Sequence, residues 1–205
     1  MRRVLVGTAA AVLVMSGGVA SAADDPAPGG DDGWEPVPEE YYDPIEVEAC
    51  DSPVTIYSGD VREVEQRSEV LDDGSTFTEY RGGATVDIVR ESDGATIDEL
   101  DISGDAWDLV SADGTEVLVE LEGASLFFTL NDVERAAFEE AGVPELFWFE
   151  EGTVLLRLVV DAETGESESA DLLRVDADVV DVCDLLDEAA EDPGDHHESG
   201  DGKGD

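Results

Sequence analysis

Thr115-Glu116-Val117-Leu118-Val119-Glu120-Leu121-Glu122 places Val117, Val119 and Leu121 on one side of an extended chain and Glu116, Glu120 and Glu122 on the other. A period of two marks a β-strand with one face on a core and one in water. Asp113-Gly114 stands before this stretch and Gly123 after it. Asp-Gly supplies the left-handed backbone positions that close a hairpin. The same punctuation recurs along the chain. Asp72-Asp73-Gly74-Ser75 separates Val70-Leu71 from a strand beginning at Thr76. Ser92-Asp93-Gly94 precedes a strand over 95–103, and Ala162-Glu163-Thr164-Gly165-Glu166 divides strands over 153–161 and 167–183. Gly82-Gly83 interrupts a long strand at 76–91 and predicts a bulge or a bend at a barrel corner. A phase slip between Ile97 and Leu100 predicts another bulge.

One helix breaks the series. Asn131 is a good N-cap, and Glu134 three residues later completes a capping box with Asn in place of the usual Ser or Thr. Val133, Ala137 and Ala141 form an apolar stripe with Phe138 beside it, and Gly142 and Pro144 end the helix. The count of elements predicts a mainly β domain of about eight to ten antiparallel strands with one short helix. A single barrel is the favoured architecture and a β-sandwich the alternative.

The only two cysteines, Cys50 and Cys183, bracket this series. Each ends a run of alternating residues, Ile45-Glu46-Val47-Glu48-Ala49-Cys50 and Val179-Val180-Asp181-Val182-Cys183. They are expected to pair and to close the domain, residues 45–187, by joining its first and last strands. Closing so long a loop stabilises by about 4–5 kcal/mol in the chain-entropy account. Outside the bracket the composition changes. Residues 1–22 read as a secretory signal: Met1-Arg2-Arg3, an apolar run, then Ala20-Ser21-Ala22. Residues 23–44, rich in Pro, Gly and acids, read as a disordered linker in which Trp34, Tyr41 and Tyr42 are candidates to pack on the domain edge. Residues 188–205 read as an acidic disordered tail. The expectation is a secreted, extracellular monomer with no membrane insertion after cleavage.

Charge narrows the partners. The chain has 54 acidic and 10 basic residues; losing Arg2 and Arg3 with the signal leaves 8 basic residues and a net charge of −46. Nucleic acid and anionic membranes are excluded, because both need clustered Lys and Arg. Divalent cations held without specificity, or a basic protein surface, remain open as partners. The span 45–187 has seven arginines, no lysine and no histidine; His196, His197 and Lys203 lie in the tail. Imidazole-assisted nucleophiles and Schiff-base chemistry are therefore absent from the domain, and so are ordinary zinc sites. Carboxylate catalysis is the remaining enzymatic option. No pair of acids stands out, so no catalytic residue is assigned, and no cofactor or metal is expected. Asp98-Glu99-Leu100-Asp101 through Asp105 and Asp108 has oxygen ligands for calcium but no recognised spacing. Trp107 reads as a wedge at a strand end.

Phe127, Phe128, Phe147, Trp148 and Phe149 flank the helix on both sides. Consecutive aromatics on a strand point to both faces, so one set enters the core and the other needs a cover. If the domain has an apolar pocket, these five residues are its candidates.

The layout resembles secreted β-proteins of high-GC Gram-positive bacteria that have no known activity. The resemblance rests on the Ala-rich signal and acidic Pro-Gly linker, Ala49-Cys50-Asp51-Ser52-Pro53-Val54 at the opening, and Val180-Asp181-Val182-Cys183-Asp184-Leu185-Leu186 at the close. It implies a β-domain and carries no functional residues. The expected function is a non-enzymatic binding or interaction module. The alternatives are a carrier of small apolar ligands and a carboxylate-based barrel enzyme. Self-repulsion at this charge predicts that NaCl raises the melting temperature and that calcium acts only by screening at millimolar levels. Thermal denaturation across a salt series checks this; a saturable calcium response at micromolar levels would contradict it.

Overall fold

The structure, a computed structural model, describes residues 33–191. In chain order the elements are β1 (Glu35–Pro36), a 3₁₀-helix (Glu39–Tyr42), β2 (Ile45–Ala49), β3 (Ser52–Arg62), β4 (Glu65–Val70) and β5 (Thr76–Arg81). There follow β6 (Ala84–Arg90), β7 (Thr96–Asp101), β8 (Asp105–Val110), β9 (Glu116–Glu122) and β10 (Ser125–Phe128). The chain ends with α1 (Asp132–Ala141), β11 (Leu146–Phe149), β12 (Gly152–Val160), β13 (Ser167–Ala177), β14 (Val180–Asp181) and α2 (Val182–Glu191). All strand pairs are antiparallel.

They form three sheets: seven strands in the order β1-β4-β5-β8-β9-β12-β13, four in the order β2-β3-β6-β7, and three in the order β10-β11-β14. No sheet closes on itself, so the expected barrel closure is not found. The reason lies in the small sheet. Phe127, Phe147 and Phe149 join Val117, Val119, Val154 and Leu156 of the large sheet in one core. Leu146, with Leu126, Phe128 and Trp148 packed beside it, joins Val54, Ile56 and Ile88 of the four-stranded sheet in another. The small sheet therefore gives one face to each core, and Leu146, Phe147 and Phe149 have no exposed surface. Its two apolar faces are satisfied by two covering sheets rather than by a barrel interior.

Long strands change sheet at corners. β3 passes to β4 and β5 to β6 side by side, joined by Glu63 N–H to Gly83 carbonyl at 2.8 Å. Gly82, predicted as a bend, has φ of +119°, and a Cβ there would stand 2.1 Å from the Glu63 carbonyl oxygen. Gly104, between β7 and β8, is crowded in the same way by the Glu122 carbonyl, 2.4 Å from where a Cβ would be. The predicted slip in β7 is a bulge: Ile97 pairs with Ile88, while Leu100 pairs with Val86. Glu99 takes φ of 54° there, and its carboxylate accepts the Asp60 N–H at 2.8 Å.

The N-cap at α1 forms as expected, whereas Glu134 closes onto the residue before the cap rather than onto the N-cap backbone N–H. Asn131 Oδ1 accepts the Val133 and Glu134 N–H groups at 3.0 Å each. Glu134 reaches back to the Leu130 N–H at 2.9 Å. Phe138 carries the helix onto Phe127, with ring centroids 5.5 Å apart.

The cysteines pair, with Cα atoms 5.2 Å apart, but they do not join strands. Cys50 and Asp51 form the two-residue turn between β2 and β3, both at positive φ, as a type I′ hairpin requires. Cys183 lies in the first turn of α2. Only Val180–Asp181 of the run 179–183 is strand. Asp181 then accepts the Cys183 N–H at 2.8 Å and starts a second helix, buried through Val182 and Leu186. That i, i+4 spacing outweighs a three-residue alternation. The expected single helix is thus corrected to two. The domain extends past residue 187 to the end of α2 at Glu191.

The expected linker is also shorter. Its residues 33–44 belong to the fold: β1 pairs with β4, Val37 is buried, and Arg67 and Arg81 stack on Trp34 at 4.9 and 4.0 Å. The signal 1–22, linker residues 23–32 and the tail from 192, with His196, His197 and Lys203, lie outside the described residues. Among the described residues no helix is long and apolar enough to cross a membrane.

Two glycines separate crowding from backbone preference. Gly94 has φ of +75° with nothing within 4 Å of a Cβ. Gly94→Ala is expected to cost only the left-handed penalty, about 1–2 kcal/mol. Gly82→Ala must in addition move the Glu63 backbone and is expected to cost about 3 kcal/mol or more. Urea unfolding of both variants checks the ordering.

Candidate functional site

The site grows from the register of β5 and β8. Thr78 lies opposite Asp108, and Tyr80 opposite Ala106. Alternation turns these four side chains inward, while Phe77, Glu79, Arg81 and Trp107 turn outward. Trp107 is consequently no strand-end wedge. It is half-buried on the outer face, 5.7 Å from Phe77, and its indole N–H donates to Glu120 at 2.9 Å.

Asp108 is 3 % exposed. Tyr80 Oη donates to its Oδ2 at 3.0 Å, and the Thr78 hydroxyl also bonds it. Ser68 Oγ in turn donates to Thr78 Oγ1 at 3.1 Å. Burial pushes the Asp108 carboxyl up to about 6, against the pull of the two hydroxyls. Burial and then the Asp108 charge push Tyr80 well above the usual phenol range. Tyr41 is pushed up to about 12, first by burial and then by Tyr42. The phenols therefore stay protonated donors at neutral pH, while Asp108 titrates near the edge of the physiological range.

The 3₁₀-helix covers this end of the large sheet. The Tyr41 ring stacks on Tyr80 at 6.1 Å, and Tyr42 meets Tyr41 edge-on at 5.3 Å. Tyr42 is held by the Val64 N–H on its hydroxyl at 3.2 Å and by Ser58 Oγ on its carbonyl at 3.0 Å. Between the sheets lies a cavity of about 170 Å³. Tyr80, Asp108 and Leu121 line it from the large sheet, Ile56 and Val86 from the four-stranded sheet, and Leu126 to Phe128 from the edge strand β10. Tyr41 and Tyr42 close one side, beside exposed Asp43.

Of the five aromatics marked in the sequence, Phe127 and Phe128 reach this cavity. Phe147 and Phe149 are core. Trp148 packs on the opposite core, with its N–H donated to the Asp101 carbonyl at 2.8 Å. Sequence reasoning missed Tyr41 and Tyr42 as site residues by placing them in a linker, and it missed the Tyr80–Asp108 pair. A signal existed: Ala106, Asp108 and Val110 share one parity, which makes Asp108 the lone acid among inward positions. The apolar Trp107 and Leu109 on the other parity hid it.

The acids suggested for calcium do not converge. Glu99 accepts the Asp60 N–H of β3, Asp101 accepts the Ser103 N–H, and Asp108 is buried between the sheets. Among the described residues no group of three metal-ligating side chains occurs. A glycosidase needs two carboxyls across one site. Asp181, the other acid raised by burial, sits in β14 and is not part of the cavity wall. No protein-family model, no curated protein and no solved structure matches this chain.

A carboxyl raised in the folded state destabilises that state once it ionises. Below the unfolded value, near 4, both states are protonated and no penalty exists. Between about 4 and 6 the native state binds more protons, so stability falls as pH rises; above about 6 the penalty is constant. Its size is about 2–3 kcal/mol. Asp108→Asn keeps an acceptor without the charge. The variant is expected to exceed the parent in stability by about 2 kcal/mol at neutral pH, with the gap closing toward pH 4. Urea titrations of both proteins across that range check it; a gap independent of pH would contradict it.

Proposed function

We propose that the protein is a secreted, non-enzymatic binding module that holds a small molecule in the cavity between its sheets. The observation that carries this reading is a mostly apolar, aromatic-walled cavity of about 170 Å³ onto which the hydrogen-bonded Tyr80–Asp108 pair opens. Binding sites for small molecules are concave, mostly apolar, and fitted with a few placed polar groups. An apolar cavity of about 150 Å³ in another protein accommodates benzene, so this one suits a single ring or the tip of a longer ligand.

The architecture we favour for this role is a sandwich-like layering, with the small sheet between two larger ones. Such layering leaves room where β10 runs out. The disulfide and the crowded corner glycines support a site that exists before the ligand arrives, which lowers the ordering cost of binding. Export is part of the proposal: the first 22 residues read as a signal, and a disulfide persists in oxidising compartments. So is membership of the secreted β-proteins whose layout the sequence resembles. Asp108 is the one buried acid of the wall, Asp43 being exposed beside the tyrosines, and that arrangement favours recognition over hydrolysis by a carboxylate pair.

Toluene tests the reading by NMR titration. Saturable shifts are expected at residues of β5, β8 and β10. Ala106→Phe, which projects a ring from the cavity wall, should abolish them while leaving the melting transition in place. Shifts scattered over the surface, or unaffected by this substitution, would dismiss the cavity as the site.

A further inference from the structure

We infer that the occupant of this cavity is a small organic cation, an ammonium group on an apolar body of about one ring, with Asp108 as its counter-ion. The inference rests on the binding-module reading and names its ligand class.

The argument begins with the distribution of charge. Among the described residues there are seven cations, all arginines. Arg67 pairs with Glu79, Arg81 with Glu65, Arg90 with Asp93 and Asp187, and Arg135 with Asp132 and Glu145. Arg157 pairs with Glu116 and Asp171, and Arg174 with Glu120. Arg62 bonds the carbonyls of Ser58 and Gly59. None compensates Asp108, whose bonding partners are the neutral hydroxyls of Tyr80 and Thr78.

The other fully buried acid makes a useful contrast. Glu134 accepts the Leu130 N–H, the Asn131 side-chain amide and the Ser167 hydroxyl at 2.8–2.9 Å, and it caps a helix. It is not among the residues that line the cavity. Asp108 has fewer donors, caps nothing, and opens onto empty space. A buried carboxylate without a cation is costly, and an ammonium brings both charge and three donors.

The walls favour the same class. Tyr41, Tyr42 and Tyr80 line the space, and aromatic faces attract cations. The Arg62 guanidinium already stands 5.9 Å from the Tyr42 ring centroid. At long range, a formal net charge of −44 raises the local concentration of small cations and repels anions.

The test compares 2-phenylethylamine, 2-phenylethanol and phenylacetate by calorimetry at neutral pH. About 0.5 M NaCl suppresses loose binding to the acidic surface. The amine is expected to bind about tenfold or more tightly than the alcohol, as a charge-assisted bond in place of a neutral one implies, and phenylacetate is expected not to bind. Asp108→Asn should bring amine affinity down to that of the alcohol while alcohol binding persists, which also reports an intact cavity. Tyr80→Phe, which keeps the charge, should retain the preference for amine. Equal affinity for amine and alcohol in the parent would overturn the cation inference and leave the binding-module reading standing. Binding of none of the three would overturn both.

Discussion

The rest of the structure depends on a strand with no polar face. β11 is Leu146-Phe147-Trp148-Phe149, and its neighbour β10 is nearly as apolar. A half-solvated sheet cannot hold such a strand, because consecutive side chains point to opposite faces. Both faces must be covered. The large sheet and α1 cover one, through Val154, Leu156 and Phe138. The four-stranded sheet and α2 cover the other, through Val54, Ile88 and Leu186. Fully burying each large side chain stabilises by about 1.5–3 kcal/mol, so the small sheet is the main source of cohesion between the layers. The disulfide acts in the same direction. It ties the β2–β3 turn to α2, the helix that lies over the Leu146 face.

The same constraint creates the candidate site. β10 and β11 have four residues each, whereas β3 has eleven and β9 seven. Such short strands cannot fill the space beside the longer ones. Where it ends, the 3₁₀-helix and its tyrosines close the gap, leaving a cavity rather than a packed core. Cavities and buried charge both weaken a fold, and here the two occur at one place. A protein that keeps Asp108 there gives up stability that an apolar residue would have retained. Such concessions collect where a ligand is to be recognised.

Local features of this fold were legible in the sequence because local chemistry decides them. Asp-Gly turns at Gly74 and Gly114 take positive φ, Asn131 and Glu134 cap their helix, and the slip at 97–100 is a bulge. The cysteine pair was legible from compartment and count. Features set by distant contacts were hidden. Gly82-Gly83 read as a bend, but nothing nearby said that the chain leaves one sheet for another there. Residues 33–44 look like a linker by composition; Val37 and the tyrosines order them only because Val64 and Tyr80 are at hand. The helix at 182–191 was obscured by Val180 and Val182, whose spacing suits a strand and whose continuation suits a helix. Asp108 is one acid among dozens until the register of β5 against β8 is known.

The arginines show how the acidity is managed. Three of the seven, Arg67, Arg81 and Arg157, pair with acids on neighbouring strands of the large sheet, and Arg174 of β13 reaches over β12 to Glu120 of β9. These pairs are half-exposed, and each contributes at most about 1 kcal/mol. Their value is in placing opposite charges across strands that would otherwise set acid against acid. Arg90 is different: it is buried, holds Asp93 in its own turn and Asp187 of α2, and so secures the helix that the disulfide also secures. Six of the seven stand where like charges or separate elements must be brought together; Arg62 bonds carbonyls of its own strand. The cavity meets neither condition. Its walls are joined by tyrosines and aliphatic side chains, and its one buried acid is left to hydroxyl groups. A cation built into the chain at that point would fill the space and neutralise the one buried charge that faces it. Among the described residues none pairs with Asp108, whose partners are the hydroxyls of Tyr80 and Thr78.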